Sequence, residues 1–314
     1  MLNIRKAAIV GCGFVGSSIA FRLVQQGLFS ELVLIDANRS KAEGEAMDLS
    51  HGLPYAASMD IYAGDYDDAA DCGLMIVTAG ANQKPGETRL DLIGKNVAIL
   101  RSIIPEIRRR HFEGVLLVVS NPVDVLTYAA WRMSGLPAGR VIGSGTVLDT
   151  ARLKHLLGQH LQVDSRNVHA VIIGEHGDSE LAVWSGANVS GIDLNHFCEL
   201  RGHYNHADSM RRIYEGVRDS AYQIIARKGA TYYGIAMAVG RIAECIVLDQ
   251  ESVLPVSVVL EGQYGLDGLC LSIPSIVGKN GLEKILEIPL SLEEEADVVY
   301  YLRKFGAGQW KETV

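Results

Sequence analysis

The stretch KAAIVGCGFVGSSIAF, Lys6 to Phe21, decides the architecture. Its opening KAAIVG reads as a short buried strand, and the residues after Gly13 read as the start of a helix. Gly11, Gly13 and Gly16 join the two in G-x-G-x-x-G spacing. Alone that spacing is weak evidence, because glycine is common. Between a strand and a helix it has a mechanism. The glycines permit a tight turn, the backbone at Gly13, Phe14 and Val15 can approach a pyrophosphate closely, and the helix N-terminus stabilises its charge. The next strand, ELVLID, ends in Asp36, twenty positions past Gly16. A carboxylate there can accept both ribose hydroxyls of NAD and repels the additional phosphate of NADP. Asn38 and Arg39 follow it, which leaves weak NADP binding open.

Outward from this turn, the first half alternates apolar runs with longer amphipathic segments: ELVLID, MDIYAG, LMIVTAG, VLLVVS and RVIGSG. Continuous apolar strands between helices indicate a parallel sheet covered on both faces. The expected fold class is therefore α/β, a doubly wound parallel sheet of Rossmann type. After about Gly145 the pattern changes to longer helices (TVLDTARLKHLLGQHL, HADSMRRIYEGVRDSAYQIIARKG, TYYGIAMAVGRIAECIVL). A hairpin-like stretch, VLPVSVVLEGQYGLDGLCLSIPSIVG, and a charged helix, SLEEEADVVYYLRKF, follow. This predicts a second, α+β catalytic domain over 146–314, beside a nucleotide-binding domain over 1–145. No linker rich in Pro, Gly or Ser separates them, and no repeat is present.

Composition narrows the function classes. At 314 residues, 48% hydrophobic and 21% charged, the chain reads as an ordinary soluble globular protein. A formal charge of -8 leaves no broad basic face for nucleic acid or anionic membranes, so an anionic ligand must be held by a few local arginines. Cys12, Cys72, Cys198, Cys245 and Cys270 form no C-x-x-C pair and read as reduced core thiols of a cytoplasmic protein. Arg5 and Lys6 before AAIVGCGFVGSSIAF mimic a signal peptide, but three glycines and Arg22 interrupt the run. It also falls short of the roughly 20 apolar residues of a membrane span.

Four places offer chemistry. In VIIGEHGDSE, Val171 to Glu180, an apolar run breaks into a loop at His176, which is either a polar strand end or a functional imidazole. In TVLDTARL, Asp149 and Arg152 sit three apart on one face of a helix expected to be capped by Thr146. Such a pair is commonly a solvated one. The surrounding leucines argue that this helix packs tightly and that the pair faces something specific. NQKPGETR, Asn82 to Arg89, is a loop directly after LMIVTAG, at the carboxyl edge of the sheet where ligands bind, although its composition also suits a plain turn. Asn121, before Pro122, lies at the same edge and offers a donor and an acceptor, or is a turn signal.

Together, IVGCGFVGSSIA, LIDAN, TAGANQKPGETRLDL, VVSNPVDVLTY, GSGTVLDTARL, IIGEHGDSE and KGATYYGIAMA resemble the NAD-dependent 2-hydroxyacid dehydrogenases, specifically the L-lactate dehydrogenases, over essentially the entire chain. The resemblance implies that His176 is the proton donor and acceptor, that Asp149 orients it, that Arg152 grips the substrate carboxylate and that Arg89 polarises the carbonyl. It places Gly11, Gly13, Phe14, Val15, Gly16, Asp36, Ala79, Gly80, Asn121 and Ile235 at the cofactor, and Gln83, Asn121 and Thr231 at the substrate. Thr231 also reads as a helix cap. No metal is implied.

Chemistry gives each role a reason. Hydride addition to a ketone makes an alkoxide, so a proton and positive charge must already stand beside that oxygen. An imidazole raised by a carboxylate can serve in both directions. A guanidinium fork suits a planar carboxylate, and loop closure excludes water. Gln83 matches the position where lactate dehydrogenases carry glutamine and malate dehydrogenases arginine. A neutral amide leaves a second substrate carboxylate unpaired, a loss of roughly 2 to 5 kcal/mol. That is about 30-fold or more, so pyruvate is expected over oxaloacetate.

The resemblance further implies a homotetramer, with a dimer as the alternative, and in some bacterial members a fructose 1,6-bisphosphate site between subunits. His169 matches its histidine, while Lys154 stands where its arginine would be, so the effector site is expected to be weaker or absent. Malate dehydrogenase is disfavoured by Gln83, and hydroxyisocaproate dehydrogenase by the NQKPGETR match. A cofactor-binding protein without turnover is disfavoured by the complete set of His176, Asp149, Arg152 and Arg89. A methyltransferase or flavoprotein is disfavoured by Asp36 together with the second lobe.

Overall fold

The computed structural model describes residues 1–81 and 89–305. The first half runs β1 (Asn3–Val10), α1 (Phe14–Gln26), β2 (Glu31–Ile35), α2 (Arg39–His51), β3 (Asp60–Ala63), β4 (Cys72–Val77), α3 (Arg89–Arg109), β5 (Val115–Val118), α4 (Val123–Ser134) and β6 (Val141–Gly143). These strands lie in the order β3-β2-β1-β4-β5-β6, and each neighbouring pair is parallel. This is the doubly wound nucleotide-binding order. The apolar runs explain it: every residue of β4 and of β5 is buried, as strands with both faces covered require. Ala7 and Ile9 of β1 face a core with Ile19 and Leu23 of α1. Ala8 and Val10 face the other way, into a core with Leu100 and Ile104 of α3 and Leu126 of α4.

The second half contains α5 (Val147–Leu161), β7 (Val168–His169), β8 (Ile172–Ile173), β9 (Leu181–Ala182), β10 (Asn188–Val189), β11 (Ile192–Asp193), α6 (Leu194–Leu200), α7 (His206–Lys228), α8 (Tyr233–Val247), β12 (Ser252–Glu261), β13 (Asp267–Gly278), β14 (Gly281–Ile285) and α9 (Leu292–Phe305). The sheet does not stop at Gly145. β12 pairs antiparallel with β6 through Ser257 and Gly143, and β13 and β14 follow, giving nine strands in one sheet. α8 buries Val239, Ile242 and Ile246 in the core that also holds α1, so the two halves share apolar packing.

Two small sheets, β11-β10-β7 and β8-β9, carry the rest of the second half. The β8–β9 pair is fastened to the main sheet by reciprocal backbone bonds between Gly174 and Ser272, at 2.8 and 3.0 Å. This anchors the loop that bears His176. All five cysteines are buried and free. Among the described residues, no helix is long and apolar enough to cross a membrane.

Candidate active site

His176 stands in the β8–β9 loop, and Asp149 and Arg152 come from the first turns of α5. His176 Nδ1 lies 2.5 Å from Asp149 Oδ2, and Arg152 donates to Asp149 Oδ1 at 2.6 Å. The Asp149 side chain is 2% exposed and that of Arg152 14%, so this is no solvated surface pair. His176 retains 24% exposure, so the ring is reachable while its Nδ1 is occupied.

Burial alone would push the His176 imidazole down. The Asp149 carboxylate outweighs it, with help from Asp124 and Glu180, and holds the pKa at about 9. Burial likewise opposes ionisation of Asp149, but the charges of His176 and Arg152 keep its carboxyl below the usual range. The cluster thus carries a protonated imidazole at neutral pH, aimed by an ionised carboxylate.

Two neighbours were not singled out in the sequence. Asp124 of α4 is buried and accepts from the His176 backbone N–H at 2.8 Å and from the Ser257 hydroxyl at 2.6 Å. Burial raises its pKa to about 6 against those two bonds. An acidic residue inside the apolar run VDVLTYAAW was the available signal, and it fixes the height of the histidine loop over the main sheet. Glu180, buried at the far end of that loop, completes a group with Asp149 and His176 whose titrating atoms all lie within 4.8 Å of one another. Both Asp149 oxygens are already engaged by His176 and Arg152, so the proton-handling pair is His176 and Asp149, and Glu180 stands beside it.

Thr146 occupies the position before α5, but its hydroxyl does not cap the helix. It donates at 2.6 Å to the Ile172 carbonyl, tying α5 to β8. Thr231 does not cap α8 either, because the helix begins at Tyr233 with Tyr232 in the cap position. The strand partner and the later helix start each displace the expected cap.

At the nucleotide turn, Gly11 has φ +105°, and a Cβ there would meet the Ala79 backbone N at 2.6 Å. A Cβ on Gly16 would stand 1.9 Å from the Gly11 carbonyl oxygen. A Cβ on Gly13 would meet no atom of the described residues within 4 Å, so among them the space in front of the α1 N-terminus is open. Among the described residues no side chain caps that terminus, and its N–H groups face this space, as an anion site requires. Asp36, at the end of β2, accepts from Cys12 N at 2.7 Å and Asn38 N at 2.8 Å. It therefore pins the glycine turn, and each oxygen retains a lone pair for a ribose hydroxyl. The cradle fits a dinucleotide.

Ala79 and Gly80 follow β4 beside this turn. Buried Asn96 of α3 ties the neighbouring strand ends together, accepting from Ala81 N and donating to the Asn121 carbonyl, both at 2.7 Å. That residue was also missed, since a lone Asn in a helix gives no signal. Phe14 stacks on Tyr232 with ring centroids 5.4 Å apart, which brings the glycine turn to the start of α8, where Thr231 and half-buried Ile235 lie. Gln83 lies outside the described residues. Arg89 opens α3, and its side chain is likewise outside the description. Lys154 and His169 line one open cavity of about 1040 Å³ together with Arg241, and burial pushes the Lys154 ammonium down.

Comparison with known proteins matches the geometry. Residues 5–143 match the family described as lactate/malate dehydrogenase, NAD binding domain, and residues 146–302 match lactate/malate dehydrogenase, alpha/beta C-terminal domain. An L-lactate dehydrogenase of Acetivibrio thermocellus is 53% identical over 303 residues, covering 96% of this chain and 94% of its own. One from Priestia megaterium is 54% identical over 291 residues, covering 93% and 91%. The crystal structure of a minor L-lactate dehydrogenase from Enterococcus mundtii, in a ligand-bound form, superposes with a TM-score of 0.94 at 44% identity, covering 99% of this chain and 98% of that one.

Proposed function

The chain belongs to the lactate/malate dehydrogenase family, an NAD-dependent oxidoreductase family, and on that premise we propose that it interconverts pyruvate and L-lactate. The observation that carries the reading is the His176 imidazole held at its Nδ1 by Asp149 at 2.5 Å, with Arg152 on the other oxygen of the same carboxylate. When bound, NADH supplies a hydride to the carbonyl carbon.

Each side chain then has one task. Arg152 grips the pyruvate carboxylate through the guanidinium nitrogens that Asp149 does not use. His176 gives the proton on Nε2 to the carbonyl oxygen as negative charge develops there, and Asp149 keeps the resulting neutral ring in one orientation. In the reverse direction the neutral ring takes the lactate hydroxyl proton. Arg89 polarises the carbonyl, and Gln83, Asn121 and Thr231 line the substrate end. Gly11, Gly13, Phe14, Val15, Gly16, Asp36, Ala79, Gly80, Asn121 and Ile235 hold the dinucleotide. With glutamine rather than arginine at 83, the pocket has no partner for a second carboxylate, which favours pyruvate over oxaloacetate.

The protein works as a homotetramer in the cytoplasm, where its five buried thiols stay reduced. Fructose 1,6-bisphosphate acts weakly at Lys154 and His169, since a single half-buried lysine replaces a guanidinium fork. NADH oxidation with pyruvate, oxaloacetate and 2-oxoisocaproate tests the substrate assignment. Pyruvate is expected to have the highest kcat/KM, by about 30-fold or more over oxaloacetate, and equal values would overturn it. Titration of fructose 1,6-bisphosphate against the pyruvate saturation curve tests the effector. An unmoved half-saturation removes it.

A further inference from the structure

The geometry points to Glu180 as a positioning residue for His176: a carboxyl that stays neutral beside ionised Asp149 at neutral pH, and whose ionisation at alkaline pH tightens the hold of His176 on its proton. The inference rests on His176 being the acid and base of the reaction.

Glu180 is 2% exposed, and its Oε1 is buried with no hydrogen-bond partner among the described residues. Its main chain is fixed, the N–H donating to the Gly177 carbonyl at 3.2 Å and the carbonyl accepting from the Tyr214 hydroxyl of α7. The side chain is thereby held against α5, with one carboxyl oxygen within 4.8 Å of an Asp149 carboxyl oxygen and of a His176 ring nitrogen. Two carboxylates this close do not both ionise readily. Asp149 keeps the charge because His176 and Arg152 each bond one of its oxygens, at 2.5 and 2.6 Å. Glu180 Oε1 has no such partner among the described residues, so Glu180 takes the proton.

The groups facing it agree. From α5 come Asp149, which opposes its ionisation, and Arg152, which favours it. On its own loop His176 favours and Asp178 opposes, while burial outweighs them all and pushes Glu180 up. Asp124 of α4 bears on His176 from the other side. A neutral Glu180 leaves Arg152 with one competing carboxylate instead of two when a substrate carboxylate arrives. Once ionised, it adds negative charge beside the imidazole, so the two groups titrate as a coupled pair and the neutral ring that lactate oxidation needs forms at higher pH than Asp149 alone would set.

Glu180→Gln keeps the shape and removes the ionisation. In the full-length enzyme, pyruvate kcat and KM at neutral pH are expected within about twofold of the parent. The alkaline midpoints of both directions should fall by about one pH unit, making lactate oxidation up to about tenfold faster at mildly alkaline pH. Unmoved midpoints, with kcat scaled by one factor at every pH, would reveal a packing role and overturn the proposal. Infrared spectra of the parent enzyme labelled with 13C-glutamate decide the case should that variant not fold. A protonated glutamic acid band at neutral pH that disappears on alkalinisation supports the proposal, and its absence overturns it. A parent enzyme inactive on every 2-keto acid would sink the functional reading instead, and the infrared result would still stand.

Discussion

Between Gly11 and Gly16 the chain presents main-chain N–H groups and almost no side-chain chemistry, whereas around His176 nearly every functional group is a side chain, drawn from α4, α5 and the β8–β9 loop. The turn is assembled within six consecutive residues and depends on what is missing: no Cβ fits at Gly16, and no described residue fills the space before Gly13. The cluster is assembled across long sequence distances and depends on what is present, a 2.5 Å contact and a 2.6 Å contact to the two oxygens of one buried carboxylate. A ligand held mainly by backbone is insensitive to side-chain identity so long as the space stays clear. A proton held by coupled side chains responds to every neighbouring charge.

The largest expected effect separates the two regions outright. His176→Ala removes the proton donor, and kcat for pyruvate should fall by about 10³-fold. The NADH dissociation constant, read by fluorescence titration, should stay within about twofold, because the turn shares no partner with the imidazole. A parallel loss of NADH affinity in the folded variant would show that the regions are one unit.

Next in size is Asp149→Asn. With the parent pKa at about 9, His176 is protonated below that value, so pyruvate reduction is supported below it and lost as pH rises through it, and lactate oxidation follows the opposite course. Without the carboxylate, burial dominates and drives the imidazole down. Pyruvate reduction at mildly alkaline pH should then drop by at least about tenfold beyond any loss seen at acid pH. A pH profile that keeps its shape would break the link between Asp149 and the imidazole.

The same contrast governs what the sequence reveals. The glycine turn, the strands ELVLID and LMIVTAG and the helix bearing Asp149 and Arg152 are legible because their signals are local: spacing, apolar runs, an i, i+3 pair. His176 is visible as a break in an apolar run, but no local pattern joins it to Asp149, 27 positions away, and the pairing is legible only through the family resemblance. Asp124 and Glu180 were passed over although both lie inside quoted stretches. The first matters through a bond to a backbone 52 positions on, and the second through a bond that is lacking. Thr146 looked like a cap because only its neighbours in sequence were in view, while its hydroxyl is claimed by Ile172. The continuation of the sheet beyond Gly145 rests on the pairing of Gly143 with Ser257, which no local pattern announces.

The smallest expected effect tests whether empty space is what the turn contributes. In Gly16→Ala the new methyl would stand 1.9 Å from the Gly11 carbonyl oxygen, so the turn must open and both folding stability and NADH binding should suffer. In Gly13→Ala the methyl meets no atom of the described residues within 4 Å, so the free enzyme should melt within about 2 °C of the parent. The same methyl occupies the place where the pyrophosphate approaches the α1 N-terminus, and the NADH dissociation constant should rise by about tenfold, or 1.4 kcal/mol. Calorimetry of the free and NADH-bound forms reads both quantities. If Gly13→Ala binds NADH as the parent does, the dinucleotide does not lie against that backbone, and the open space before α1 serves something else. If it is destabilised as much as Gly16→Ala, the glycine is required by the turn itself, and the division between a region defined by absence and one defined by contacts fails at its simplest residue.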